Sequence, residues 1–402
     1  MNDLLDKMTG AVVGAAVGDA LGGATETYLP DEIRERWGGW VEGVVEPYHP
    51  DWRTRKPTAP FHKGDGHVTD DTLMNRMLVE VYCDKRDHLD AYDVAERLVP
   101  RLLTQKVWVP ELETETVLLQ RLALAEKYLS LRLHWAHADP REAGVGNAVN
   151  CGAAMYAAPI GLVNAADPDG AYAEAIEVAG AHQSSFGREA AGVMAAAAAT
   201  AMVPGASAQD VVATALRLAQ DGTRAAIEAV AEAAGRQDHW TDAIATGAVR
   251  DAVRPFDLVA EGYRDRGLAA HRPSRLHSIE ELPVALGFLL IADGEWESTV
   301  LGAVNYGRDS DSIATMGGAL AGALGGSAAV RADLAETVAT ASRMDLAAPA
   351  RDLAAVTVEI RRRDAERRAG VERAFAGLLD DGGPAAAAAP SAPRATTGGG
   401  AG

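Results

Sequence analysis

Apolar residues recur at three- and four-residue intervals along most of the chain, the period of a helix with one buried face. The first such stretch, residues 4–23, has glycine at every fourth position (Gly10, Gly14, Gly18, Gly22). That spacing leaves a smooth stripe on which a second helix can pack closely. Leu73, Met74, Met77, Leu78 and Val81 predict a helix starting near Thr72. Residues 91–135 read as helices carrying Trp108 and Trp135, one of them opened by Glu111, Glu113 and Glu115, where the dipole favours acids. Residues 172–200 read as two helices broken at 181–187. Residues 207–235 and 240–254 continue as Ala-rich amphipathic helices, with Asp242 and Asp251 outward. Two more helices flank Asp293-Gly294-Glu295, and 351–379 is a charged, solvated helix. No stretch alternates like a strand over a useful length, and no repeat is visible. The pattern predicts an all-α fold.

Two segments break the pattern. Residues 29–66 contain Pro30, Pro47, Pro50, Pro57 and Pro60 with Trp37, Trp40 and Trp52, and read as one irregular loop, expected as a lid over a cleft. Residues 380–402 are Ala/Pro/Gly/Thr low complexity and are expected to be disordered. The expected organisation is a main domain over 1–350, the helix 351–379, and the tail 380–402.

At 402 residues with 48% hydrophobic content the chain has enough apolar surface for a large core. Aromatics are only 5%, so small side chains on closely packed helices must fill it. The formal charge of −19 argues against nucleic acid or an anionic membrane as a partner. No apolar run reaches spanning length, and the start lacks the basic and apolar regions of a signal peptide. Cys83 and Cys151 form neither a metal nor a disulfide pattern, so the expected compartment is the reducing cytoplasm.

The candidate chemistry lies in two acidic clusters at helix starts. One is Asp309-Ser310-Asp311-Ser312, after Asn305-Tyr306-Gly307-Arg308 and before a helix of small residues. The other is Thr69-Asp70-Asp71-Thr72. Such residues also cap helices, but adjacent carboxylates exceed what a cap needs. Four converging carboxylates repel unless cations intervene, and oxygen donors on turns suit a hard divalent ion. An EF-hand is excluded, because Ala314 and Leu320 stand where its glycine and glutamate belong. Asp19, near the end of the first helix, is either a buried hydrogen-bonding group or an exposed one. Glu26 follows in a loop, and His182 falls at a helix break. Gly144, Gly146 and Gly152 with Asn147 and Asn150 suggest backbone amides offered to a ligand.

Taken together, these motifs resemble the ADP-ribosylglycohydrolase family over roughly residues 8–330. The resemblance rests on Gly14-Ala15-Ala16-Val17-Gly18-Asp19-Ala20-Leu21-Gly22 with Glu26, on Val68 to Thr72, on Gly152-Ala153-Ala154-Met155, and on Gly307 to Ser312. It implies a compact orthogonal helical bundle around a binuclear metal cleft, with two magnesium ions or, alternatively, manganese. It implies Thr69, Asp70, Asp71, Asp309, Asp311 and Ser312 as metal ligands and Glu26 as the acid/base residue. It also implies that Gly152, Ala153 and His182 face the substrate, a small molecule or an ADP-ribosylated group. The expected working unit is a monomer or small homo-oligomer. Cys151 and Tyr156 depart from the family pattern, which has asparagine and arginine there. This shifts the expected substrate towards a smaller ribosylated or nucleoside-like metabolite. Two other readings fit the clusters: a two-metal phosphoester hydrolase, and a metal-dependent nucleotide-binding module without turnover.

Overall fold

The computed structural model of the chain describes residues 3–47, 51, 63–256 and 278–379. It is an all-α fold with one two-stranded hairpin. The elements that position the site are, in order, α1 (Asp3–Thr25), α2 (Pro30–Trp37), α3 (Asp70–Lys85), β1 (Lys106–Val109), β2 (Thr114–Val117), α4 (Leu124–Ser130), α5 (Pro168–Gly180), α6 (Ser185–Ala201), α7 (Glu281–Ile291), α8 (Trp296–Tyr306), α9 (Ser310–Gly325) and α10 (Ala348–Leu379).

The glycine stripe of α1 finds its partner in α9. A Cβ added at Gly10, Gly14, Gly18 or Gly22 would stand 2.2, 2.6, 2.3 or 2.3 Å from the carbonyl oxygens of Gly322, Gly318, Ala314 and Ser310 respectively. The partner number falls as the glycine number rises, so the helices are antiparallel. Gly318 and Gly322 reciprocate, each lying as close to the α1 backbone. At the far end of this pair the buried Lys7 ammonium donates to Ala323 O (2.7 Å) and Ala201 O (3.1 Å), satisfying carbonyls at the ends of α9 and α6. One continuous core, rich in alanine and valine, surrounds the pair.

Three expectations need correction. Residues 30–37 are helical, not irregular: Pro30 opens α2, Asp31 and Glu32 sit in its first turn, Arg34 and Arg36 in its last, and Gly38 closes it at φ 74°. Trp108 lies on a strand, since Lys106–Val109 pairs with Thr114–Val117 through a tight turn at Pro110–Leu112. The acidic run Glu111 to Glu115 therefore forms the hairpin turn and the start of β2 rather than a helix start. A four-residue strand is too short to show alternation, and β-branched Val107, Val109, Thr114, Thr116 and Val117 carry the preference instead. Finally, α1 runs two residues beyond its expected end, to Thr25; Asp19 lies inside it as expected and is fully buried.

The helix break expected around 181–187 occurs at 181–184, that expected at 293–295 also occurs, and Asp242 and Asp251 are exposed. By its contacts the chain divides into a compact unit Met1–Ile360 and a second unit from Arg361, the boundary falling inside α10. In the second unit Asp364 pairs with Arg367 (3.0 Å). Pro50, Trp52, Pro57 and Pro60 of the expected lid, and the tail 380–402, lie outside the described residues.

Candidate active site

The close α1–α9 pair brings the two acidic clusters to one place. Thr69 caps α3, its side chain accepting from Asp71 N, and so sets Asp70 and Asp71 on the first turn. Asp309 and Asp311 stand at the start of α9. Asp19, on α1, anchors the Thr69–Thr72 cluster. Its Oδ2 accepts from Thr69 N (2.9 Å), from Thr72 N (3.1 Å) and from the Thr72 hydroxyl, while Oδ1 accepts from Thr69 Oγ1 (2.5 Å). Of the two readings open for Asp19, the buried hydrogen-bonding one is what the structure shows.

Glu26 is delivered by a strained crossing. Thr27 N donates to Arg308 O (2.5 Å) and Arg308 N to Tyr28 O (3.0 Å), stitching the segment after α1 to the segment before α9. Thr27 and Arg308 both have positive φ (77° and 66°). A Cβ on Gly307 would meet Tyr28 O at 2.0 Å, so only glycine fits there. Arg308 is held by a fully buried pair with Glu280, through Nε to Oε1 and Nη2 to Oε2, each at 3.0 Å. Tyr306 adds its hydroxyl to Oε1 at 2.7 Å.

Side-chain oxygens of Glu26, Asp309 and Asp311 consequently lie within 4.8 Å of one another, as do those of Asp19, Asp71 and Asp311. Asp70 stands beside them, its Oδ2 accepting from Ala123 N (3.2 Å). Burial pushes Asp71 and Asp311 well above the usual carboxylate range. The neighbouring acids push further, Asp311 on Asp71 and Glu26 on Asp311. Asp70 is pushed up to about 7, by burial first and then by Glu126. A divalent ion bound among these carboxylates would relieve the same repulsion. The fit to a hard ion is supported by Asp71 Oδ1, which is buried with no hydrogen-bond partner among the described residues. Nearly all the donors are oxygens; the exception is Cys151, whose thiol donates to Asp309 Oδ2 (3.2 Å). The buried Ser312 lies beside it, at the first turn of α9.

The glycine-rich loop serves the protein more than its amides suggest. Asn150 Oδ1 accepts from Gly152 N (3.0 Å) and Gln183 Nε2 (2.7 Å), and Asn147 Nδ2 donates to His182 O (2.9 Å). A Cβ at Gly152 would lie 3.0 Å from Glu126 Oε1 and 3.3 Å from His182 Cε1. His182 is completely buried behind Gly152. Its Nδ1 is 2.9 Å from the Tyr156 hydroxyl, and its Nε2 is 3.4 Å from Glu126 Oε1. Ala153 is buried in the same turn. Gly152 and His182 therefore adjoin each other and Glu126, while Asp309 lies against Cys151.

A profile of the ADP-ribosylglycohydrolase family matches residues 1–364. The chain belongs to the ADP-ribosylglycohydrolase family. A solved structure described as an ADP-ribosylglycohydrolase-related protein complex superposes with a TM-score of 0.54, covering 89% of this chain and 98% of that one. At 19% identity that likeness speaks for the fold. No curated protein matches the sequence. No described helix is long and apolar enough to cross a membrane.

For this family member the sequence left two site residues unnoticed. Lys63, at the end of the Pro-rich stretch, donates through its ammonium to Glu26 Oε2 and Asp311 Oδ2. Burial lowers its pKa, but Asp311 and Glu26 outweigh that and hold it well above the ordinary lysine value. Glu126, on α4, is buried, and its Oε2 has no partner among the described residues. Its carboxylate is felt by both Asp70 and Tyr156. No sequence periodicity marks either residue. The only cue to Glu126 was an acid on the buried face of a helix.

Proposed function

We propose that the protein hydrolyses a ribosyl glycosidic bond, on an ADP-ribosyl or smaller nucleoside-like substrate, with Glu26 as acid/base and magnesium or manganese held by the clusters. The observation that carries this reading is the convergence of Glu26, Asp309 and Asp311 oxygens on one buried spot. A lone acid would be exposed and solvated; this one is about 10% exposed and is aimed by the Thr27–Arg308 crossing.

Breaking a ribosyl bond at its anomeric carbon builds positive charge in the transition state. Carboxylates around that carbon stabilise it electrostatically. Glu26 would take a proton from the attacking water or give one to the leaving group. Thr69, Asp70, Asp71, Asp309, Asp311 and Ser312 supply oxygens for divalent ions. The family resemblance calls for two. When bound, such ions would hold ribose hydroxyls and polarise the water. Gly152, Ala153 and His182 would form the wall behind the substrate, with Tyr156 and Glu126 in place of a cationic side chain. That wall favours a neutral, donor-rich group over a diphosphate. The two thiols, Cys83 and Cys151, are free, which suits a reducing cytoplasm. Neither nucleic acid nor a membrane is a partner in this reading, and the working unit is a monomer or small homo-oligomer.

The test is hydrolysis followed by mass spectrometry on ADP-ribosyl-arginine, ADP-ribosyl-serine, ADP-ribose 1''-phosphate and simple nucleosides. Each is run with magnesium, with EDTA, with Asp311→Ala and with Glu26→Gln. Release of free ADP-ribose or ribose that EDTA and both substitutions abolish supports the reading and names the leaving group. Phosphate release with the sugar bond intact replaces it by phosphoester hydrolysis. Metal-dependent ADP-ribose binding without turnover replaces it by a binding module.

A further inference from the structure

The cluster already contains a cation of its own. Lys63 Nζ reaches both Glu26 Oε2 and Asp311 Oδ2, and its side chain is about 10% exposed. We propose that Lys63 is the resident counter-ion of one half of this site, so that the chain takes a single divalent ion, on the Asp71 side, rather than a pair. The inference rests on the metal-dependent reading above and deepens it.

Among the described residues three groups of possible ligands lie close together, and two of them share Asp311: one is Glu26, Asp309 and Asp311, the other Asp19, Asp71 and Asp311. The third, Cys151, Glu281 and Asp309, joins the first through Asp309 and brings in a thiol, a poor partner for a hard ion. The Lys63 ammonium bonds two of the first group's three carboxylates, Glu26 and Asp311. A divalent ion would have to bind these same oxygens at roughly 2.1 Å, where the ammonium nitrogen now stands. Both cannot be present. Lys63 also does what an ion would do there: it clamps Glu26 against the start of α9 and relieves repulsion between Glu26 and Asp311.

The second group is different. Both Asp19 oxygens are engaged by donors from Thr69 and Thr72. Asp71 Oδ1 is buried and has no hydrogen-bond partner among the described residues. That oxygen is the one aimed into the cluster without a proton donor, and no lysine or arginine among the described residues bonds to Asp71. The position where a metal is still required is therefore at Asp71, with Asp311 as the shared neighbour.

The test uses the full chain and manganese, counted by elemental analysis after gel filtration and observed by electron paramagnetic resonance. The wild-type chain is expected to hold one ion, with the six-line spectrum of an isolated manganese. Lys63→Met keeps the length and removes the charge, and is expected to hold two ions with an exchange-coupled spectrum. Lys63→Arg, which keeps the charge, is expected to stay at one. Two ions in the wild type overturn the proposal, and that measurement alone suffices even if a variant fails to fold. One ion in well-folded Lys63→Met also overturns it. No ion in any of the three overturns the metal reading itself, a different failure. No ion in the wild type but one or two in Lys63→Met makes Lys63 a plug, and overturns the single-ion stoichiometry.

Discussion

The glycine contacts between α1 and α9 make a prediction in which stability and function separate. In Gly22→Ala the new Cβ would lie 2.3 Å from Ser310 O and 2.6 Å from Asp311 N, both backbone atoms that cannot swing away. Ordinary contact begins at 3.4 Å, so the start of α9 must retreat by about 1 Å. Gly10→Ala produces an equal clash, 2.2 Å from Gly322 O, at the other end of the pair. The two positions are roughly 18 Å apart along α1 at 1.5 Å per residue. Overpacking of this kind costs about 1–3 kcal/mol, or roughly 1–4 °C of melting temperature in a domain of this size. Both variants are expected to lose that much. Only Gly22→Ala moves Asp309 and Asp311 away from Asp71, and a metal site tolerates about 0.2 Å in its ligand distances. Its manganese affinity should collapse, and turnover should fall on the order of 100-fold, the usual cost of a 1 Å misplacement. The assay is calorimetric titration with manganese, together with turnover on whichever substrate of the panel is cleaved. If Gly22→Ala binds metal as Gly10→Ala does, within a factor of about three, the claim that this helix contact sets the site geometry is wrong.

Three further outcomes follow from the buried polar groups. Asp19→Ala leaves Thr69 N and Thr72 N without an acceptor; at about 1–3 kcal/mol for each orphaned N–H, denaturant unfolding should show a loss of about 4 kcal/mol even without metal. Arg308→Met strands the buried Glu280 and should cost about 3–5 kcal/mol, with part of the loss recovered in the double variant Arg308→Met/Glu280→Leu. The pH dependence has a definite sign: native Asp70, pushed up to about 7, holds a proton that the unfolded chain releases near 4. Stability in EDTA should therefore fall as pH rises from about 4 to about 7. Saturating magnesium, by taking the proton's place, should flatten that slope in thermal melts; an unchanged slope would argue against an ion at this cluster.

The helices of this chain were legible because alanine, valine and leucine recur with a helical period and few β-branched runs compete. The hairpin was not legible, since four-residue strands carry too few side chains to show alternation and their acidic turn imitates a helix start. Nor was α2, although Pro30, the flanking charges and Gly38 all mark its ends. There the surrounding prolines and tryptophans outweighed the capping signals.

The acidic half of the site could be read because both clusters lie at helix starts, where adjacent residues in sequence remain adjacent in space. What could not be read are the partners from other elements. Glu280 reaches Arg308 from just ahead of α7, and Lys63 reaches Glu26 and Asp311 from outside any helix. Each is a single residue whose position depends on a long-range contact, so no local spacing announces it. Charge balance announces it indirectly. A buried arginine and a group of buried carboxylates each require counter-charges. Glu280 supplies one for Arg308, and Lys63 supplies one for Glu26 and Asp311. No side-chain cation among the described residues bonds to Asp71, which leaves that aspartate as the position where a metal ion has to do the same work.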